Sequence, residues 1–262
     1  MDHRDDRKSQ RAPRKTQEFS LPMVTAKKTA MVVSAHSADF VWRAGGAIAL
    51  YAERGWEVTV VCLSYGERGE SAKLWREPGM TMEKVKANRK QEAIQAAEIL
   101  GAKTTFFDIG DYPMRIPDTV LYELAGLCRT VRPEFILTHS RNDPYNFDHP
   151  LVSHAVQEAR IVAQAHGHQP GTPVIGAPPV FLFEPHQPEQ CGWKPHVLLD
   201  ITSVWPRKYE AFKAMNAQEH LWHYYERVAL QRGVQASRNS NRNVKYGEAY
   251  ERVFPQVTEE LE

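Results

Sequence analysis

No stretch of this chain approaches the ~20 consecutive apolar residues that a membrane-spanning helix requires, so the sequence predicts a soluble protein with no membrane partner. Cysteine is scarce. Cys62, Cys128 and Cys191 are odd in number, widely spaced and free of any CxxC pair. That excludes a disulfide framework or a thiolate zinc knuckle and points to a reducing, cytoplasmic setting. A formal net charge of +1 leaves no global field to draw the protein to nucleic acid or lipid. The first 28 residues lack the apolar core of a signal peptide. Their Arg4, Arg7, Lys8, Arg11 and Arg14 are diluted by Asp2, Asp5, Asp6 and Glu18, which reads as a solvated tail over residues 1–28 and not as a nucleic-acid-binding arm.

What remains has ordinary globular content, 42% hydrophobic and 25% charged. Apolar runs are spread evenly beyond residue 28, which predicts one domain over residues 29–262. Short β-branched runs alternate there with segments of helical period, the pattern of an α/β fold with a mostly parallel sheet and helices on both faces. Strands are expected at 29–36, 58–65, 104–110, 134–140, 179–186 and 196–202, each nearly continuously apolar, as for strands covered on both sides. Helices are expected at about 39–54, 82–100, 117–131 and 149–165, with one long helix after Trp205. Gly55 and Gly101 stand where helix C-caps are wanted.

In open sheets of this kind, ligands bind beyond the carboxyl ends of the strands. Residues 36–39, 66–70, 111–112, 141–149 and 184–186 occupy those positions and hold a dense set of ionisable groups. His36 and Asp39 lie three apart at a strand-to-helix turn, close enough to address one cation. A third ligand is needed; His149 opens a helix at the same rim, while His154, His166 and His168 are alternatives. Five residues of helix rotate His154 by about 140° from His149, onto another face. Two histidines and a carboxylate leave a fourth position open, as in catalytic zinc sites, and Asp148 is placed to orient one of the ligands.

The run 31–39, MVVSAHSAD, followed by Gly45-Gly46, resembles the opening AHPDDE signature of the LmbE-like (PIG-L) zinc deacetylase superfamily. Further resemblances are LSYGERG at 63–69, FDH at 147–149 and a late helix ending at Gln218. The resemblance spans about residues 29 to 255. It implies a Rossmann-like fold, Zn2+ as cofactor, and His36, Asp39 and His149 as its ligands.

Ala38 stands where the family's deacetylases carry their general base, Phe40 replaces the following Glu, and Asn146 replaces the first His of HPDH. The metal site is kept while the amide-hydrolysis residues are missing. Glu70 and His186 are the acid–base candidates at the same rim, against the plain readings of a solvated loop carboxylate and a structural histidine. Arg43, Arg68, Lys73 and Arg76 form a basic wall suited to substrate carboxylates, with Asn146 beside it, and a small polycarboxylate is the expected partner.

The variant sequences SAHSADFVWRAGGAIA and DPYNFDHP are similar to one branch of the superfamily. Its members add water to 4-carboxy-2-hydroxymuconate (4-oxalomesaconate), giving 4-carboxy-4-hydroxy-2-oxoadipate in gallate and protocatechuate catabolism. That resemblance implies a hydro-lyase, with N-deacetylation as the alternative. Six tryptophans and the aromatic run 222–225 exceed what a modest core needs, which predicts a homo-oligomer, monomer burial being the competing account.

Overall fold

The computed structural model describes residues 27–259, so the expected basic tail lies outside the described residues except for Lys27 and Lys28. The elements run β1 (Thr29–Ser34), α1 (Asp39–Glu53), β2 (Glu57–Cys62), α2 (Ala72–Trp75), α3 (Met82–Leu100) and β3 (Ala102–Phe106). They continue with α4 (Asp118–Val131), β4 (Ile136–Thr138), α5 (Asp148–Gln164), β5 (Val180–Phe183), β6 (Val197–Asp200), α6 (Trp205–Ala214), α7 (Trp222–Arg238) and β7 (Gly247–Arg252). Seven strands form one sheet in the order β3-β2-β1-β4-β5-β7-β6. The first five are parallel neighbours, and β7 runs antiparallel to both β5 and β6.

Alternation along the strands builds two cores. Ala30, Val32, Val58 and Val60 face α1, α3, α6 and α7, while Met31, Val33, Val61 and Leu63 face α4 and α5. Each fully buried side chain of this kind, such as Phe40 or Leu124, contributes about 1.5–3 kcal/mol of transfer free energy. The α/β fold with a mostly parallel sheet is thus the one the alternation predicts. Gly101 caps α3 in the left-handed conformation at φ 84°, and Gly55 takes φ 83° one residue past the cap of α1.

The short helix α2 has no counterpart among the expected helices, and two larger features also depart from the expected pattern. The long helix after Trp205 is broken: α6 and α7 are joined by a 3-10 segment, Asn216–Leu221, in which Gln218 leaves helical geometry. The strand β7 has no counterpart among the expected ones, and it inserts between β5 and β6.

β7 brings Glu248 under the middle of α1. Its carboxylate accepts the backbone N–H groups of Gly46 at 2.6 Å and Ala47 at 2.8 Å, the Lys208 ammonium at 2.6 Å and the Tyr250 hydroxyl at 2.6 Å. A buried carboxylate is tolerable only when so surrounded. The Gly pair of α1 makes the approach possible. A Cβ on Gly46 would sit 2.6 Å from Ile201 Cγ2 and 2.8 Å from Glu248 Oε1. Gly46→Ala is therefore expected to destabilise the fold by about 1–3 kcal/mol, read as a lower urea midpoint at unchanged slope. An unmoved midpoint would show that the helix yields freely there.

Candidate metal centre and surrounding site

Strand order reverses at β1, whose neighbours are β2 and β4, and the crevice at such a switch point is where these sheets bind ligands. His36 lies two residues past β1. Asp39 is the first residue of α1 and accepts the backbone N–H of His36 at 2.9 Å, which fixes the turn between them. His149 is the second residue of α5, and Glu70 comes from the loop after β2. One ligand atom from each of His36, Asp39, Glu70 and His149 falls within 4.8 Å of all the others. His36 Nδ1 is 3.1 Å from both Asp39 Oδ2 and Glu70 Oε1, and His149 Nε2 is 3.5 Å from Asp39 Oδ1.

The far side of each imidazole is held by another carboxylate. Asp148 Oδ2 lies 3.3 Å from His36 Nε2, and Asp143 Oδ2 lies 2.9 Å from His149 Nδ1. Both pairs set the tautomer, so that His36 Nδ1 and His149 Nε2 turn their lone pairs to the common centre. His149 Nε2 is buried and has no hydrogen-bond partner. Burial alone would lower the His36 imidazole pKa, yet Glu70, Asp148 and Asp39 raise it well above its usual range. The site thus favours positive charge at its centre. The donor set, two imidazoles and hard carboxylates around an orphaned nitrogen, fits a divalent metal ion.

His139, at the end of β4, completes the floor. Its ring stacks on His149 at a centroid separation of 4.1 Å, and its Nε2 accepts the Ala35 N–H at 2.9 Å. Burial, with His149 adding to it, pushes its pKa down to about 3, so it stays neutral. Ala38 is fully buried in the apolar layer beneath, consistent with a position that carries no base.

Of the candidate catalytic pair, Glu70 stands in the cluster, and His186 is within electrostatic reach of Arg43, Asp143 and His149. Glu70 is half-buried; burial pushes its carboxyl pKa up, but the charge at His36 holds it below the usual range. His186 follows β5 and stacks on Tyr224 at 4.1 Å, and the Tyr224 hydroxyl donates to the His186 carbonyl. Burial lowers the His186 imidazole pKa, and the charges of Arg43 and Arg227 lower it further, against Asp143. Glu184 does not reach Glu70 or His186 through its carboxylate. Arg232 takes both of its oxygens in a forked pair.

The basic wall is divided by the fold. Arg43 is buried at the site, where it lies 3.4 Å from Asp39 and donates to the Glu184 carbonyl at 2.8 Å. Arg68 is anchored by a 2.7 Å bond from its guanidinium to the Asp111 carbonyl. Lys73 points elsewhere, to the Asn216 carbonyl at 3.2 Å and Glu219 at 3.1 Å, and Arg76 is exposed at the end of α2. Asn146 caps the turn before α5, its side-chain oxygen accepting the Asp148 N–H at 3.1 Å. Of the alternative ligands, His154 is exposed beside Glu158, and His168 packs on Tyr122.

His139 and Arg89 escape the sequence reading, while Tyr112 and Asp143 fall within the rim segments without a role of their own and Gln218 enters only as the end of a motif. Asp143 had a signal, since a carboxylate six residues before a ligand histidine in one loop can fold back onto it. Tyr112 places its ring 5.9 Å from that of His36 while its backbone N–H donates to Asp148 at 3.0 Å.

Comparison with known proteins gives a consistent picture. Residues 31–160 match the family model PIG-L, GlcNAc-PI de-N-acetylase. The chain is similar to the 4-oxalmesaconate hydratase of Pseudomonas putida KT2440, 64% identical over 243 residues, covering 91% of this chain and 94% of that protein. Its fold is similar to the crystal structure of GalB, the 4-carboxy-2-hydroxymuconate hydratase of the same organism, with TM-score 0.88, 64% identity, and coverage of 90% of this chain and 100% of that one. The N,N'-diacetylchitobiose deacetylase of Pyrococcus horikoshii shares the fold at TM-score 0.71 and 20% identity, over 87% of this chain and 84% of the other.

Proposed function

Because this chain belongs to the PIG-L family, yet carries Ala38 where that family's deacetylases carry a base, we propose that it is a metal-dependent hydratase. Its substrate is 4-carboxy-2-hydroxymuconate (4-oxalomesaconate), and its product is 4-carboxy-4-hydroxy-2-oxoadipate. The observation that carries the reading is the cluster of His36, Asp39, Glu70 and His149, in which we assign His36, Asp39 and His149 to the metal and Glu70 to proton transfer, with His186 as its partner base in place of the deacetylase base. The 64% identity to a hydratase over nearly the whole chain supports the same substrate.

Hydration breaks one O–H bond of water and forms a C–O and a C–H bond on adjacent carbons. The hydroxyl adds to C4, which bears the 4-carboxylate, and the water proton goes to C5 as the C4–C5 π bond is lost; the 2-hydroxyl gives up its proton and C3 gains one as the enol becomes the 2-oxo group, so both released protons end on carbon. His36, Asp39 and His149 would hold Zn2+, which when bound would supply Lewis-acid polarisation at this centre. Glu70, ionised and beside His36, takes the proton of the adding water. His186, kept neutral by burial and by the charge of Arg43, acts as the base that takes the proton of the substrate's 2-hydroxyl as the enol becomes the ketone and passes it to carbon. Arg68 binds a substrate carboxylate, and Asn146 offers its amide N–H groups. Arg43 keeps positive charge behind Asp39. Lys73 and Arg76, with their outward settings, serve only as peripheral attraction for an anionic substrate.

A cytoplasmic enzyme of aromatic-acid catabolism, working on gallate- or protocatechuate-derived polycarboxylates, fits the three unpaired cysteines and the absence, among the described residues, of a helix able to cross a membrane. The proposed homo-oligomer draws support from Phe147, 82% exposed, and Tyr145, 56% exposed, just ahead of His149, and not from the aromatic run 222–225, whose Tyr225 is buried against Trp42 in this chain's own core. Assaying the purified protein side by side against 4-carboxy-2-hydroxymuconate and N-acetylglucosamine conjugates tests the reading. Loss of the dienoate absorbance with no acetate release is expected. Acetate release without hydration would transfer the assignment to the deacetylases.

A further inference from the structure

Glu70 has two carboxylate oxygens with two different neighbours. Oε1 lies 3.1 Å from His36 Nδ1. Oε2 accepts the Gln218 side-chain amide at 3.5 Å, the longest link in an otherwise tight buried chain. Gln218 Oε1 accepts Arg89 NH2 at 2.9 Å. Arg89 is fully buried on α3, donates to Glu92 Oε2 at 2.6 Å and to the Tyr65 carbonyl at 3.3 Å. Glu92 in turn accepts the backbone N–H of Ala217 at 2.8 Å. The loop that carries Glu70 and the 3-10 turn that carries Gln218 are therefore tied to the same arginine–glutamate pair.

The polarity of this chain is forced. A guanidinium has donors only, so Arg89 takes the oxygen of the Gln218 amide and leaves its NH2 group for Glu70. The amide cannot flip without setting NH2 against N–H. On the opposite side Gly66 backs the carboxylate, since a Cβ there would lie 3.3 Å from Glu70 Oε2. Gln218 pays for its place by leaving helical geometry, with φ −123° and ψ 33° inside the turn. An arginine this deeply buried is costly to desolvate, and its surroundings give it three acceptors, of which one is the amide that addresses Glu70.

We propose that Gln218, oriented by Arg89, is a positioning residue for Glu70. It occupies Oε2 with a donor and so presents Oε1 to the reacting side of the site. The inference rests on the hydratase reading insofar as Glu70 moves a proton there, but the placement of Glu70 is a separate observable.

The test uses the full-length, zinc-loaded protein. In Gln218→Met, kcat is expected to fall by about 10- to 100-fold, the scale of a misplaced catalytic group, with KM within about twofold of wild type. Metal content is expected to stay stoichiometric. In a Glu70→Ala background the same substitution should cost nothing further, whereas a merely structural role would cost the same factor in both backgrounds. Gln218→Glu keeps shape and the Arg89 partner but sets an acceptor against Glu70, and its kcat should fall at least as far. A crystal structure of Gln218→Met should show Glu70 in more than one rotamer. Full kcat in Gln218→Glu, or equal losses in the two backgrounds, overturns the proposal while leaving the hydratase reading intact. Absent hydration by the wild type, with Glu70 still freed in the Gln218→Met crystal, sinks the hydratase reading and keeps the positioning role.

Discussion

An Asp39→Ala protein is expected to lose its bound metal and all measurable hydratase turnover together. Asp39 is the hub of the site: its carboxylate faces His36 Nδ1 at 3.1 Å, His139 Nε2 at 3.4 Å, His149 Nε2 at 3.5 Å and Arg43 Nε at 3.4 Å. Its removal takes away one ligand and loosens the other two. It also leaves Arg43 buried without its carboxylate, so a stability cost of about 3–5 kcal/mol accompanies the loss of function. A graded partner separates the two effects. Asp143→Asn keeps all the ligands and weakens only the hold on His149 Nδ1, so metal affinity should drop by about 10- to 100-fold with the fold retained. Metal analysis by plasma mass spectrometry, with a competing chelator titration, reads both. Wild-type metal content in Asp39→Ala would remove the proposed centre. Acid should act in the same direction as the mutation. A proton on His36 competes with the cation, and because Glu70, Asp148 and Asp39 raise the His36 pKa against burial, that competition begins above the ordinary histidine range.

The clustering of His36, Asp39 and His149 was legible because these residues sit at boundaries that sequence marks well. His36 and Asp39 flank the end of a continuous apolar strand, and His149 opens a helix of clear period, so spacing and the sheet rule together bring them to one rim. Glu70 and His186 follow from the same rule. The wall of cations was less legible for a steric reason. α2, Ala72–Trp75, is a single helical turn, and it carries Lys73 against Glu219, though Lys73 stands only five residues from Arg68. β7 was illegible because its strand signal is polar. In GEAYER the inward residues include Glu248 and Tyr250, which are buried only because Lys208 and two N–H groups of α1 are there to meet the carboxylate. Such a pairing joins residues some two hundred positions apart, and no local window contains it. Gln218 was visible as the end of a motif, while its purpose depends on Arg89, which in sequence is one more cation on an amphipathic helix.

Replacing His186 by Asn should lower kcat by about 10²- to 10⁴-fold, the usual contribution of a positioned acid–base group, while metal content and fold persist. The persistence follows from place: His186 stacks on Tyr224 outside the ligand set, so its loss disturbs no bond to His36, Asp39 or His149. Glu70→Gln should cause a loss of the same order by removing the other end of the proton path. The pH profile then tells the two apart. His186 works as the neutral imidazole, and burial, followed by the charge of Arg43, depresses its pKa below the ordinary value of about 6.5. A base with a lowered pKa stays active as pH falls until that lowered value is crossed, so the acid limb of kcat/KM that belongs to His186 lies below pH ~6.5. Arg227 is one of the cations that depress it, and this arginine is exposed over the Tyr224 ring. Removing that charge in Arg227→Gln raises the His186 pKa and must move the limb to higher pH, although only part of the way, because burial is the larger cause. A limb that stays fixed in Arg227→Gln and survives in His186→Asn belongs to another group. In that case the proton of the substrate's 2-hydroxyl is handled elsewhere, with Tyr112, whose ring stands beside His36, the next residue to replace.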